Sequence, residues 1–173
     1  MMKNFYPDLY VENISCITAS MLTKMGMEAV VLDVDNTLVP HNDPNPTLDV
    51  EAFLADMRAH NVKICVVSNN NFERVSSFAK RIGIEYFVHD ALKPRAYGYL
   101  KAAEIMGIDA RKTAAIGDQI FTDVWGGNRA GCYTVLVKPI DTKSEPFYIK
   151  IKRLLEKPFL NKSLPHKGTE DRD

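Results

Sequence analysis

Along the chain, short unbroken apolar runs alternate with stretches whose apolar residues recur at helical spacing. The runs are Ala29 to Val34, Val62 to Val67, Glu85 to Val88, Thr113 to Ile116 and Cys132 to Val137, rich in Val, Ile, Tyr and Phe. Continuous runs of this length predict strands buried on both faces. Four helices are predicted between them. Thr47 to Ala59 carries Leu48, Phe53, Leu54 and Met57, and Asn71 to Ile82 carries Phe72, Val75, Phe78 and Ala79. Arg95 to Met106 and Thr122 to Ala130 follow. Gly83, Gly107 and Gly131 supply C-terminal stops. Gly126 and Gly127 weaken the last helix. Strand-helix alternation with short connections predicts an α/β fold, a parallel sheet covered by helices on both sides.

The ends of the chain read differently. Ile14, Ile17, Met21 and Met25 predict an N-terminal helix, with Asn13 or Ser15 as cap and Gly26 as stop. Phe147, Ile151, Leu154 and Leu155 alternate with Lys150, Lys152, Arg153 and Lys157. Residues 161–173 are polar and aperiodic, and a flexible tail is expected there. The expected organisation is one domain over residues 1–160, with its core at about 29–137, followed by that tail.

Composition narrows the options. The 173 residues are 46% apolar and 25% charged, an ordinary globular balance. Lys plus Arg equals Asp plus Glu at 22 each, so no nucleic-acid partner is expected. The three cysteines lie far apart without metal-ligand spacing; Cys65 and Cys132, in apolar runs, are expected to be buried, and the pattern suits a reducing cytoplasm. No apolar stretch approaches the ~20 residues that span a bilayer, and the first residues lack a signal-peptide pattern.

Chemistry gathers at the strand exits, where parallel sheets place their reactive groups. The first run ends in Asp33-Val34-Asp35-Asn36-Thr37, and two carboxylates two residues apart share one side of an extended chain. The second ends in Ser68-Asn69, the third is followed by Lys93-Pro94, and the fourth leads to Gly117-Asp118 with Asp123 five residues on. Taken singly, Ser68 reads as a helix cap, Lys93 as a solvated lysine and Asp123 as a first-turn charge. Together they converge on one sheet edge. Asp33, Asp35 and Asp118 form a hard oxygen set suited to Mg²⁺ rather than Zn²⁺. Ser68 and Lys93 add donors and positive charge for a phosphoryl group.

The order Asp33-x-Asp35-x-Thr37, Ser68-Asn69, Lys93-Pro94 and Gly117-Asp118-x4-Asp123 resembles the four motifs of the haloacid dehalogenase-like (HAD) phosphohydrolases. The resemblance covers about residues 29–137 and implies a Rossmann-like three-layer αβα sandwich. It implies Asp33 as nucleophile and metal ligand. Asp35 would give its carbonyl to the metal and its side chain as general acid and base. Asp118 would be a metal ligand, and Asp123 would orient Lys93 or metal-bound water from behind. Thr37, Ser68, Asn69 and Lys93 would bind substrate, with Lys93 also serving catalysis.

The spans from Asp35 to Ser68 and from Ser68 to Lys93 have room for one helix and one strand each, so no cap domain is expected. An open site favours a bulky substrate, or a second subunit that covers it. The loop Pro40 to Pro46 is the expected flap, with His41 on its surface. The capless layout is similar to the YqeG-type group of HAD subfamily IIIA, related to phosphatidylglycerophosphate phosphatases. That likeness implies a phospholipid head group as substrate and a peripheral position at the inner membrane face, with Phe147 to Lys157 as a membrane contact. Competing readings are a receiver-like signalling domain phosphorylated at Asp90, and a HAD-like scaffold without catalysis.

Overall fold

In the computed structural model, which describes residues 2–40, 45–143 and 145–160, six strands form one fully parallel sheet. They are β1 (Leu9–Val11), β2 (Ala29–Leu32), β3 (Lys63–Val67), β4 (Tyr86–Val88), β5 (Thr113–Gly117) and β6 (Tyr133–Val137). Their order is β1-β6-β5-β2-β3-β4. Val31 of β2 registers with Cys65 of β3 on one side and Ala115 of β5 on the other. The chain moves outward from β2 through β3 and β4, then returns to β5. The strand order therefore reverses beside β2, and the loops leaving β2 and β5 open a crevice between them.

Among the described residues, six α-helices accompany the sheet: α1 (Ala19–Lys24), α2 (Leu48–Ala59), α3 (Phe72–Arg81), α4 (Tyr97–Met106), α5 (Trp125–Ala130) and α6 (Phe147–Leu160). Alternate residues of β2 face opposite layers. Val30 and Leu32 pack with Phe53 and Leu54 of α2 and Phe78 of α3. Ala29 and Val31 pack with Tyr99, Ala102 and Met106 of α4. Each fully buried aliphatic side chain contributes about 1.5–3 kcal/mol, so these layers fix the sheet against its helices. Thr47 and Asn71 cap α2 and α3 by accepting the N–H of Val50 at 3.4 Å and of Arg74 at 3.1 Å.

The five predicted strands and four intervening helices are present, with shifted ends. α4 starts at Tyr97 because Lys93-Pro94-Arg95 is a turn, with Arg95 N–H bonded to Leu92 O at 2.8 Å. The glycines of α5 strengthen the packing there. A Cβ at Gly127 would lie 2.8 Å from Thr134 Cγ2 and 2.9 Å from Ala115 Cβ, so only glycine lets the helix reach the sheet.

At the N-terminus the expected single helix is two pieces. Ile14–Cys16 forms one 3₁₀ turn, Ile17 is extended, and Thr18 restarts the chain by accepting Met21 N–H at 3.2 Å. The preceding residues hold β1, an edge strand absent from the sequence reading, pinned where Asp8 accepts Thr134 N–H at 2.7 Å. Residues 161–173, and residues 41–44 of the expected flap with His41, lie outside the described residues.

α6 packs by Ile149, Arg153 and Glu156. Its last turn joins an aromatic cluster in which Phe159 meets Phe5 at 5.4 Å and Phe121 at 5.8 Å. Glu156 is 2% exposed and accepts Phe121 N–H at 2.9 Å. Burial pushes its carboxyl up to about 7, against the opposing pull of that N–H and of Arg153. The folded state thus holds a proton that the unfolded chain releases near pH 4.5, and this contribution to stability is lost as pH rises through about 7. Glu156→Gln keeps the acceptor and removes the titration. In denaturant unfolding, wild-type stability should fall relative to the variant by about 3 kcal/mol between pH 4 and pH 8. Parallel pH profiles for the two proteins would exclude Glu156 as the titrating group.

Candidate active site

The ends of β2, β3 and β5 and the loop after β4 meet at one edge. Asp33 follows β2 directly, and its N–H still bonds Ile116 O at 3.0 Å. The chain then folds back, with the N–H groups of Leu38 and Val39 returning to Val34 O at 3.0 and 3.2 Å. Asn36 sits in this turn at φ +62°, a left-handed conformation that asparagine tolerates. After β3, the Asn69 side chain clamps the backbone of Lys93. Its Oδ1 accepts Lys93 N–H at 2.8 Å and its Nδ2 donates to Lys93 O at 3.2 Å. The clamp sends the lysine side chain inward, where Nζ donates to Asp33 Oδ1 and, at 2.8 Å, to Asp123 Oδ1.

β5 ends at Gly117, and Asp118 follows. Asp123 lies in a wide turn, Ile120–Val124, and folds back so closely that any Cβ at Gly117 would collide with it. Both Asp123 oxygens are engaged: Oδ2 accepts Gln119 N–H at 3.1 Å, and Oδ1 accepts Lys93 and, at 3.4 Å, the Tyr99 hydroxyl. Oxygens of Asp33, Asp118 and Asp123 come within 4.8 Å of one another. Asp118 Oδ1 accepts the Thr37 hydroxyl at 3.2 Å, while Oδ2 accepts Arg153 Nη2.

Asp35 stands beside this cluster. Its Oδ1 accepts Arg74 Nη2 and its Oδ2 accepts Asn70 Nδ2, at 2.8 and 3.1 Å. The same Asn70 amide reaches the buried Ser68 Oγ at 3.1 Å. Lys93 therefore joins Asp33 and Asp123 directly, Thr37 joins Asp118, and the two groups meet through carboxylate oxygens within 4.8 Å of one another. Asn69 joins them through the Lys93 backbone, and Asp35 and Ser68 are linked through Asn70. Asp90 lies outside the cluster, with its Oδ2 2.8 Å from His89 Nδ1.

Arg153 was not anticipated. From α6 its Nε donates to both oxygens of Glu145 at 2.7 Å, its Nη1 donates to Asp118 O at 3.1 Å, and Nη2 reaches the Asp118 carboxylate. Glu145 is fixed in turn by Asn36 Nδ2 at 2.6 Å. Among lysines, Arg153 looks like another solvated cation. The available signal was phase: Ile149, Arg153, Glu156 and Leu160 fall at i, i+4, i+7 and i+11, on one helix face. Arg74 had no comparable signal.

The pocket is short of positive charge. Among the described residues, the carboxylates of Asp33, Asp118, Asp123 and Glu145 are buried together with two cations, Lys93 and Arg153. Burial raises Asp33 well above the usual carboxylate range, countered by Lys93 and reinforced by Asp123 and Asp118. Burial likewise pushes Asp118 up to about 6 despite Arg153. For Lys93, burial acts to lower the pKa, but Asp123 and Asp33 outweigh it and the ammonium is held charged. With all four carboxylates ionised, the pocket would carry two negative charges more than Lys93 and Arg153 offset, so a divalent cation would favour the ionised state that burial opposes. The donors are hard oxygens, so the residues present fit such an ion.

Comparison with known proteins agrees with this geometry. Residues 44–131 match the family model of the haloacid dehalogenase-like hydrolases. The probable phosphatase YqeG of Bacillus subtilis is 37% identical over 169 residues, covering 97% of this chain and 96% of that protein. Phosphatidylglycerophosphate phosphatase 1 of Arabidopsis thaliana is 31% identical over 170 residues, 91% of this chain but 48% of that protein, so the chain spans about half of that relative. The cobalt-bound deoxy-D-mannose-octulosonate 8-phosphate phosphatase of Haemophilus influenzae shares the fold, with a TM-score of 0.51 at 19% identity over 79% of this chain and 88% of its own. Family match, full-length similarity and buried acidic cluster together place the chain among the haloacid dehalogenase-like hydrolases, as an enzyme of the HAD phosphatase type.

Proposed function

We propose that the enzyme hydrolyses a bulky phosphomonoester through an aspartyl-phosphate on Asp33, with Mg²⁺ as its cation and phosphatidylglycerophosphate as its substrate. The observation that carries the reading is the convergence of Asp33, Lys93 and Asp118 from three separate strand exits. Asp33, Asp118 and the Asp35 backbone carbonyl would hold the ion. When bound, it supplies positive charge that lets a carboxylate approach a phosphate dianion.

The chain's own residues do the rest. An Asp33 carboxylate oxygen attacks phosphorus, the bond to the leaving oxygen breaks, and the departing alcohol takes a proton from Asp35. Asp35 then removes a proton from water, which attacks the same phosphorus and releases phosphate and the Asp33 carboxylate. Lys93, Ser68, Asn69 and Thr37 form the proposed phosphate-binding set. Lys93 directly faces Asp33, and Ser68 lies at the same edge. Asp123, with both oxygens occupied, positions Lys93. The Arg74–Asp35 contact puts a guanidinium on the leaving-group side.

Two features support a bulky substrate. Among the described residues, only α2 lies between β2 and β3, and only α3 between β3 and β4, so these segments contain no cap domain there. A groove of about 600 Å³ runs from Asp35 and Pro40 along α3 past Arg74 and Phe78 to Arg81, with space for a large leaving group. The lipid substrate follows the similarity to the plant phosphatase, and residues 1–160 are read as one hydrolase unit.

Asp33→Asn should lower phosphate release from an aryl phosphate by at least about 10³-fold. A chelator should do the same to the wild type, with recovery on adding Mg²⁺. Turnover that survives both treatments would overturn the mechanism. A binding measurement tests the cation separately. Arg153→Met leaves Asp118 and Glu145 without their guanidinium and should destabilise the fold by about 3–5 kcal/mol. Mg²⁺ should then raise the melting temperature of the variant more than that of the wild type. Equal shifts would remove Asp118 from the ligand set.

A further inference from the structure

Exposed apolar side chains are concentrated around the catalytic edge. Twelve large ones are exposed among the described residues, and ten of these lie on the carboxyl edge of the sheet or on α6. In a parallel sheet, every helix that follows a strand starts at that edge. Leu48, Phe72 and Tyr97 open α2, α3 and α4 there, Leu92 follows β4, and Ile140 follows β6. Leu92 is held at φ +56°, a conformation unfavourable for a leucine, and the residue is nonetheless 51% exposed next to Lys93.

α6 continues this surface. Its inner face carries Ile149, Arg153 and Glu156, and Arg153 contacts Asp118 at the exit of β5. The opposite face presents Phe147, Ile151, Leu154 and Leu155, with Phe147 78% and Leu154 60% exposed. At 100° per residue these four form one ridge. Lys150 and Lys157 flank it on one side and Lys152 on the other, with Lys152 Nζ 6.0 Å from the centre of the Tyr148 ring. With Arg153 turned inward to Asp118 and Glu145, these three lysines give the outer flanks of the helix a local positive charge on a chain of zero net charge.

We propose that the catalytic rim and the outer ridge of α6 dock on an anionic lipid bilayer. An apolar ridge bordered on both flanks by lysines matches an interfacial helix, whose side chains enter the acyl boundary while the ammonium groups reach back to headgroup phosphates. The apolar residues of the edge come from five separate loops and helix starts, unlike the continuous groove that a peptide would need. A second copy of the chain seated on that edge would close the site to a bulky substrate, whereas a bilayer would present one. The proposal rests on the phosphatase reading of the site, with the substrate held in a membrane.

The test is flotation of the full chain with vesicles of phosphatidylglycerol and phosphatidylcholine, and with phosphatidylcholine alone. The wild type should float with the anionic vesicles at least tenfold more strongly. Leu154→Glu with Leu155→Glu should reduce that affinity at least tenfold while leaving turnover of a soluble aryl phosphate unchanged. Lys152→Glu with Lys157→Glu should abolish the preference for anionic lipid. Phe147→Glu, at the most exposed position of the ridge, gives a second reading at least threefold below wild type if the double variant loses its thermal transition. Asp33→Asn should float as the wild type does. If it floats while the wild type releases no phosphate from phosphorylated lipids in the same vesicles, the docking stands and the assigned substrate falls. Absence of flotation, flotation unaffected by the ridge substitutions, or a wild-type dimer that the double variant dissociates would overturn the proposal.

Discussion

Four carboxylates buried with two cations are the condition to which the rest of this molecule is adapted. Asp33, Asp118, Asp123 and Glu145 would repel one another strongly in a medium of low polarity, and Lys93 and Arg153 offset only part of that. The fold supplies the remainder locally. Backbone N–H groups and hydroxyls point at the carboxylates: Gln119 N–H at Asp123, the Thr37 hydroxyl at Asp118, the Tyr99 hydroxyl at Asp123. A pocket organised in this way is pre-arranged for added positive charge, and that arrangement is what a phosphate dianion approaching a carboxylate needs.

Rigidity at the site comes from backbone clamps more than from the side chains that would react. Asn69 grips Lys93 by both its N–H and its carbonyl, and Asn36 ties the turn after Asp33 to Glu145 through its side chain and to Ile140 through its carbonyl. Gly117 gives Asp123 the space to fold back. Asn36 and Gly117 carry no chemistry of their own, yet they, like Asn69, each fix the direction of a residue that does.

The central sheet was legible because its strands are buried on both faces, so their apolar runs are unbroken. The chemistry was legible because each candidate stands immediately after such a run. β1 was not: three residues beside Pro7-Asp8 carry too little pattern, and the strand exists through its pairing with β6. The N-terminal periodicity suggested one helix because spacing is blind to Thr18, whose hydroxyl caps a new start. Gly126 and Gly127 argued against a helix locally, while the tertiary contact they permit decided in its favour. Arg153 was hidden by its neighbours, since a guanidinium among lysines shows its burial only through helical phase.

The position of Arg153 has a bearing on how the protein is made. The first 137 residues contain every strand and every motif of the acidic site, but the guanidinium that faces Asp118 and Glu145 arrives sixteen residues beyond the end of β6. On a ribosome, Asp118 therefore remains without its guanidinium after the sheet has been synthesised, and a fragment cut at the end of the sheet would keep Asp33, Asp118, Asp123 and Lys93 but lose Glu145 and Arg153 together. The last helix acts as the keystone of a centre to which it contributes none of the reacting groups.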